Sequence, residues 1–189
     1  GRAVCGAPPR QVAAALPEAA PVEAKGSDDL VDAIKQDLIA LGLSSDISAA
    51  PALAAYLELI GRWNTTYNLT GAKYARQLRT HHLADCLAVI PSLRNTFDKS
   101  SPIRVLDVGS GAGLPGIVLA LLHPSWQVDC VDAVGKKAAF IRQAAGQLNL
   151  ANLRSIHSRV EAMEAAWQLS NGGYDLIISR AFSNLRTFI

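Results

Sequence analysis

Between residues 105 and 116 the chain reads Val-Leu-Asp-Val-Gly-Ser-Gly-Ala-Gly-Leu-Pro-Gly. Gly109, Gly111 and Gly113 alternate directly after an apolar run and just before a second one, so the segment reads as a strand turning sharply into a helix. Residues without a Cβ permit that turn and let a ligand approach the backbone. The free amides of a helix start favour a negative group. Gly111, Gly113 and Gly116 also satisfy GxGxxG, the spacing of a dinucleotide turn, so the glycines alone leave the ligand class open.

Asp107 helps to separate the classes. A carboxylate just ahead of the glycines would repel a pyrophosphate. S-adenosyl-L-methionine has no phosphate and carries an ammonium that a carboxylate accepts, while its own carboxylate can face the loop amides. The segment therefore favours the sulfonium cofactor, with a nicotinamide-dependent oxidoreductase as the alternative. Asp132 ends the next apolar run, 21 residues beyond Gly111. A carboxylate there can take both hydroxyls of an adenosine ribose in either class. The backbone of Val160 and Glu161, after a third run, is placed to meet the adenine edge. Arg180 follows a fourth run, at the strand end where ligands of such sheets gather.

Other chemistries find little support. His81 and His82 are adjacent, point in different directions on a helix and have no second ligand pair, so no metal is expected. Cys5, Cys86 and Cys130 lie far apart without CxxC spacing, which argues against a disulfide framework and fits a reducing cytosol. Between residues 62 and 94 the cations Arg62, Lys73, Arg76, Arg79 and Arg94 face Asp85 alone. With Trp63, Tyr67 and Tyr74 interleaved, this stretch could stack on bases and neutralise phosphates, although aromatic residues at helical spacing are also ordinary core.

The elements that must position these residues fall into three parts. The chain has 189 residues, half of them hydrophobic, and a formal charge of +2, which excludes a disordered polyelectrolyte. Its longest aliphatic run, Ile117 to Leu122, is too short to span a bilayer. Residues 1–26 are rich in Ala and Pro and read as a disordered tail. Residues 27–102 read as a helical cap and linker. Ser27 is expected to cap a first helix running to Gly42, a second starts near Pro51, a third spans Tyr74 to Ile90, and Pro91 to Pro102 is expected to be the linker. From 103 to 189 strands alternate with helices: strands at Ile103–Val108, Gln127–Val131, Leu153–His157 and Tyr174–Ser179, helices at Leu114–Leu122 and Lys136–Leu148. An Asn171-Gly172-Gly173 turn precedes the last strand. That rhythm implies a parallel, doubly wound sheet.

The ordered motifs resemble a family. Trp63-Asn64 with Tyr67-Asn68-Leu69-Thr70, His82-Leu83-Ala84-Asp85, the glycine segment, Val131-Asp132 with Gly135-Lys136-Lys137, Ser158-Arg159-Val160-Glu161 and Ser179-Arg180-Ala181-Phe182 are similar to bacterial 16S ribosomal RNA guanine-N7 methyltransferases, the glucose-inhibited division protein B family. The resemblance implies an α/β class I, Rossmann-like methyltransferase fold behind a helical cap, with C-terminal strands missing from this chain. It implies methylation of one guanine N7 of 16S rRNA in the small ribosomal subunit, with S-adenosyl-L-methionine as cofactor. Carried over by position, Gly109, Leu114, Val160, Glu161 and Arg180 join Asp107, Gly111, Gly113 and Asp132 as expected cofactor-site residues. No catalytic residue is assigned beyond Arg180 as a site candidate. Cys86 stands where the family usually has Ser, and Ala133-Val134 replaces a Ser-Leu pair. Because the chain stops at Ile189, a non-catalytic fragment that binds cofactor or RNA is a further alternative.

Overall fold

The computed structural model describes residues 24–67, 69–71, 75–98, 100–163 and 173–180. The expectations for the tail before residue 24, for Lys73 and Tyr74, and for the turn at 171–172 lie outside them. Helix α1 (Ala24–Ala40) turns Ile34 and Leu38, four residues apart and fully buried, toward the interior. It starts three residues before Ser27, so the expected cap lies inside the helix. The good helix formers Ala24 and Lys25 carry the backbone past the polar residue. Gly42 ends the run at φ +73°, and Leu43 N–H closes back on the Leu38 carbonyl at 2.8 Å. After a 3-10 turn (Ser44–Ala49), α2 (Ala50–Tyr67) buries Leu53, Tyr56, Leu57 and Ile60 along one face.

The third expected helix is present in three joined pieces: α3 (Ala75–Gln77), a π-helical stretch (Leu78–Leu83) and α4 (Ala84–Ala88). Leu78 and Leu83, five apart, are both fully buried. The wider π turn brings that spacing nearer one face than an α-helix would. The expected linker is corrected at its start, where α5 (Ile90–Thr96) is helical. Pro91 occupies the first turn, where a missing N–H costs nothing, so it starts a helix rather than breaking one. Arg94 on this helix donates to Asp46 at 2.7 and 3.1 Å and to His123 Nε2 at 3.1 Å.

Among the described residues four parallel strands follow: β1 (Arg104–Val108), β2 (Gln127–Asp132), β3 (Leu153–His157) and β4 (Leu176–Ile178), in the spatial order β3-β2-β1-β4. Val105 pairs with Val128 on one side and with Leu176 on the other. β1 is buried from Val105 to Val108, as a central parallel strand must be when both faces are covered. Helix α6 (Gly116–Leu122) begins two residues later than Leu114, because the glycine turn runs on through Pro115. Helix α7 (Gly135–Gln147) packs on β2 and β3. One cluster of buried side chains runs from Ile34 and Leu57 in the cap to Leu119, Trp126 and Phe140 in the sheet layer. The cap is therefore part of the same core that holds the strand ends in place. Chain direction reverses its lateral progress between β1 and β4, and the crevice beyond their carboxyl ends is where doubly wound sheets hold ligands.

Candidate functional site

The turn after β1 is shaped by backbone bonds. Gly109, Gly111 and Gly113 take φ values of +66°, +60° and +84°, a region in which any L side chain is strained. Gly109 and Ser110 donate their amides to the Val131 carbonyl at 2.9 and 3.1 Å. The Ser110 hydroxyl donates to the Asp107 carbonyl at 2.8 Å. Gly116 N–H, at the start of α6, donates to Asp107 Oδ2 at 2.9 Å. A Cβ on Gly116 would stand 2.8 Å from that same oxygen and against Cys130 Sγ, so the close approach requires glycine. On the outer side, Tyr56 of α2 donates its hydroxyl to the Ala112 carbonyl at 2.6 Å.

Asp132, at the end of β2, is a junction between two loops. Oδ2 accepts Gly111 N–H at 2.9 Å and Oδ1 accepts Val134 N–H at 2.8 Å. Each carboxylate oxygen retains a further lone pair for a ligand hydroxyl. Beside it lies a groove of about 150 Å³ walled by Gly109, Asp132, Ala133, Ser158, Val160 and Glu161. Val160 and Glu161 begin a short 3-10 turn (Val160–Ala162), so their backbone groups stand near the groove rather than in a ladder. His157, the last residue of β3, places Nε2 3.2 Å from the Ala133 carbonyl and steadies the loop that follows Asp132.

Of the residues expected at a cofactor, Gly109, Asp132, Val160 and Glu161 come together around this groove, and Gly111 is tied to it through Asp132. Gly113 and Leu114 are buried in the turn behind it. Asp107 is not at the rim. It is fully buried beneath the turn, and burial pushes its carboxyl up to about 7 against the opposing pull of the Gly116 N–H bond. Its Oδ1 is a buried oxygen without a partner among the described residues, and the Ser179 hydroxyl, just past β4, is another. Both lie toward the carboxyl ends of the paired strands β1 and β4. Trp126 Nε1, just before β2, is a third; orphaned buried polar atoms are costly and uncommon, and the first two lie at the end of the sheet where doubly wound folds hold ligands.

Arg180 turns its guanidinium to the cap, and its charge also acts on the buried Asp107 beneath the turn. Its guanidinium donates to the His82 carbonyl at 3.0 Å and meets the His82 ring at Nδ1. It also lies 3.8 Å from Asp85. His82 and Asp85 thus share one face of the cap, turned to Arg180. Burial and the neighbouring guanidinium lower the His82 pKa, so the ring stays neutral and can accept. Arg180 is a clasp between the sheet and the π-helical stretch.

The basic stretch is partly spent internally. Arg94 is committed to Asp46, and Arg79 pairs with Asp37 at 2.5 Å. Trp63 lies tilted on Tyr67 at 5.0 Å and edge-on to Phe140 at 5.4 Å, half-buried and packed against the core. Arg62 and Arg76 remain on the surface side. Among the described residues no group of three His, Cys, Asp or Glu is arranged to hold a metal, and no helix is long and apolar enough to cross a membrane. Sequence reasoning missed Tyr56, whose place in an apolar helical stripe reads only as core. It also missed Ser110 as the hydroxyl that pins the turn.

Comparison with known proteins matches residues 49–189 to the GidB family model, described as rRNA small subunit methyltransferase G. The chain belongs to this family. It is 45% identical over 155 residues to a Ribosomal RNA small subunit methyltransferase G of Bordetella petrii, covering 82% of this chain and 58% of that one. Its counterpart in Leptothrix cholodnii is 48% identical over 150 residues, covering 79% and 66%. The chain thus spans less than two thirds of the length of these GidB relatives. In three dimensions it resembles the METTL16 MTase domain with a TM-score of 0.51 at 17% identity, covering 74% of this chain and 56% of that one. The fold of this GidB chain is accordingly the α/β, Rossmann-like methyltransferase fold.

Proposed function

We propose that the protein transfers a methyl group from S-adenosyl-L-methionine to N7 of a guanine in 16S ribosomal RNA of the small ribosomal subunit. Family membership supports this reading, and one observation carries it: Gly109 of the glycine turn, Asp132 and the Val160–Glu161 turn line one groove at the strands' carboxyl ends, with the Asp107 carboxyl buried beneath the turn, an arrangement suited to a phosphate-free nucleoside with a charged tail. When bound, the cofactor supplies an electrophilic methyl on a sulfonium. Asp132 would receive the ribose hydroxyls, the Val160–Glu161 backbone would meet the adenine edge, and the Ala112 amide of the turn would face the amino acid carboxylate. The ammonium would be drawn toward the Asp107 carboxyl buried beneath the same turn, and its charge would favour the ionised form.

Guanine N7 already presents a lone pair in the ring plane, so the chain needs no base to remove a proton first. The rate then comes from holding nucleophile, carbon and sulfur nearly in line. N7 lies on the major-groove edge, which A-form RNA hides, so an unpaired or extruded guanine fits best. Arg159 at the groove and Lys136 at the start of α7 are exposed cations that suit a phosphate backbone. A nicotinamide reading has no such support, because the family match and the buried Asp107 behind the turn both favour the sulfonium cofactor.

The test is methyl transfer by the full-length gene product. With labelled S-adenosyl-L-methionine and small subunits lacking the modification, label should appear at a single guanine, on N7. Label on another atom, or on protein alone, would overturn the proposal.

A further inference from the structure

Ala112 stands between Gly111 and Gly113, both at positive φ. Neither glycine has a side chain to fix its torsions, so hydrogen bonds must set the conformation of the turn. On the sheet side Gly111 N–H donates to Asp132 and Gly116 N–H donates to Asp107. From the opposite side the restraint is the Tyr56 hydroxyl, which reaches across from the cap to the Ala112 carbonyl at 2.6 Å. Tyr56 is fully buried on α2, held by Leu53, Leu57 and Ile60 of the same face, so its oxygen is a fixed point rather than a mobile one. Burial also pushes the phenol far above its ordinary range, followed by the charges of Cys86, Cys130 and Asp107, so the hydroxyl keeps its proton and remains a donor.

We propose that Tyr56 is a positioning residue of the cofactor site: it fixes the Ala112 residue so that the Ala112 N–H, a turn amide not spent on Val131, Ser110, Asp132 or Asp107, stays aimed at the amino acid half of the methyl donor. This rests on the reading of the turn as the donor's site. The cap thereby serves the cofactor as well as any RNA contact. Its effect is confined to one half of the ligand, since ribose and adenine are the province of Asp132 and Val160–Glu161.

The experiment titrates two ligands, S-adenosylhomocysteine and methylthioadenosine, into the full chain and into Tyr56→Phe. The substitution removes one oxygen, leaves the ring in place and strands the Ala112 carbonyl. Affinity for S-adenosylhomocysteine should fall about tenfold, while methylthioadenosine, which lacks the amino acid, should bind within about twofold of wild type. Methylthioadenosine binding also shows that the variant is folded. Leu57→Ala, on the same helix, should lower the melting temperature and leave the ratio of the two affinities unchanged. Equal weakening of both ligands, no weakening of either, or the same change of ratio in Leu57→Ala would overturn the inference. Failure of the wild type to bind either ligand would instead sink the methyl-donor reading beneath it.

Discussion

Asp129 and Asp132 lie on one strand, three residues apart, and end up in opposite chemical situations. Asp129, at the amino end of β2, accepts two guanidinium bonds from Arg154 at 2.9 and 2.7 Å and the Tyr174 hydroxyl at 2.8 Å. Arg104 covers the Tyr174 ring at 5.0 Å. Asp132, at the carboxyl end, accepts two neutral backbone amides and retains lone pairs facing a groove. The amino end holds the larger cavity, about 550 Å³ against about 150 Å³, yet its carboxylate is already neutralised. Cavity size and site chemistry therefore part company in this protein. What marks the functional end is acceptor capacity: Asp107 Oδ1 and the second lone pairs of Asp132, whereas the unpartnered group near the amino end, Trp126 Nε1, is a donor.

The hardest blow to this contrast is Gly116→Val. Its side chain would collide with Asp107 Oδ2 and Cys130, breaking the junction of β1 and α6. Overpacking of this kind costs roughly 1–3 kcal/mol of stability, and donor binding should vanish in calorimetry. Survival of normal binding would show that the turn does not shape the site. Next in size is the paired comparison of the two aspartates. Asp132→Ala should weaken donor binding by roughly 1–3 kcal/mol, because the ribose loses its acceptor and Gly111 its anchor. Asp129→Ala should lower the melting temperature and leave donor affinity alone; a comparable loss of affinity in both would erase the distinction between the ends.

A pH titration sharpens the same point. The Asp107 carboxyl is held at about 7, above its ordinary 3.8, so between these values the folded chain binds more protons than the unfolded one. Its contribution to stability is full below the unfolded value and is lost as pH rises through about 7. Donor binding runs the other way, since an ammonium favours the ionised form. Affinity should climb between pH 6 and 8 by at most about tenfold per unit and then level, with Asp107→Asn abolishing the climb. A flat profile in the wild type would place the ammonium elsewhere. The smallest expected effect is that of Arg154→Ala. This largely exposed partner of Asp129 should cost about 0.2–1 kcal/mol of stability in a melt and nothing in donor affinity.

Much of this contrast is legible along the chain, and the illegible parts share one cause. The strand-glycine-helix passage, Asp132 at the end of the second strand and Val160–Glu161 after the third are set by local periodicity and by residues whose backbone freedom is unusual. Pro91 was misread for the same locality: the residue that stops one helix can open the next, and the buried Ile90 and the Arg94–Asp46 pair decide which. Arg180 was legible as a strand-end residue, but its direction was not, because the π-helical stretch that meets it comes 98 residues earlier.

By itself the sequence determined which elements form and which residue types stand at the strand ends, since these follow from spacing of three to four or two residues and from glycine's torsional range. Only the tertiary structure decided that Asp129 is spent and Asp132 is not, that Arg180 clasps the cap, and that Tyr56 reaches the glycine turn 56 residues away. Those outcomes depend on which polar groups are brought within 3 Å after the core closes, a matter of packing geometry that residue order does not encode locally.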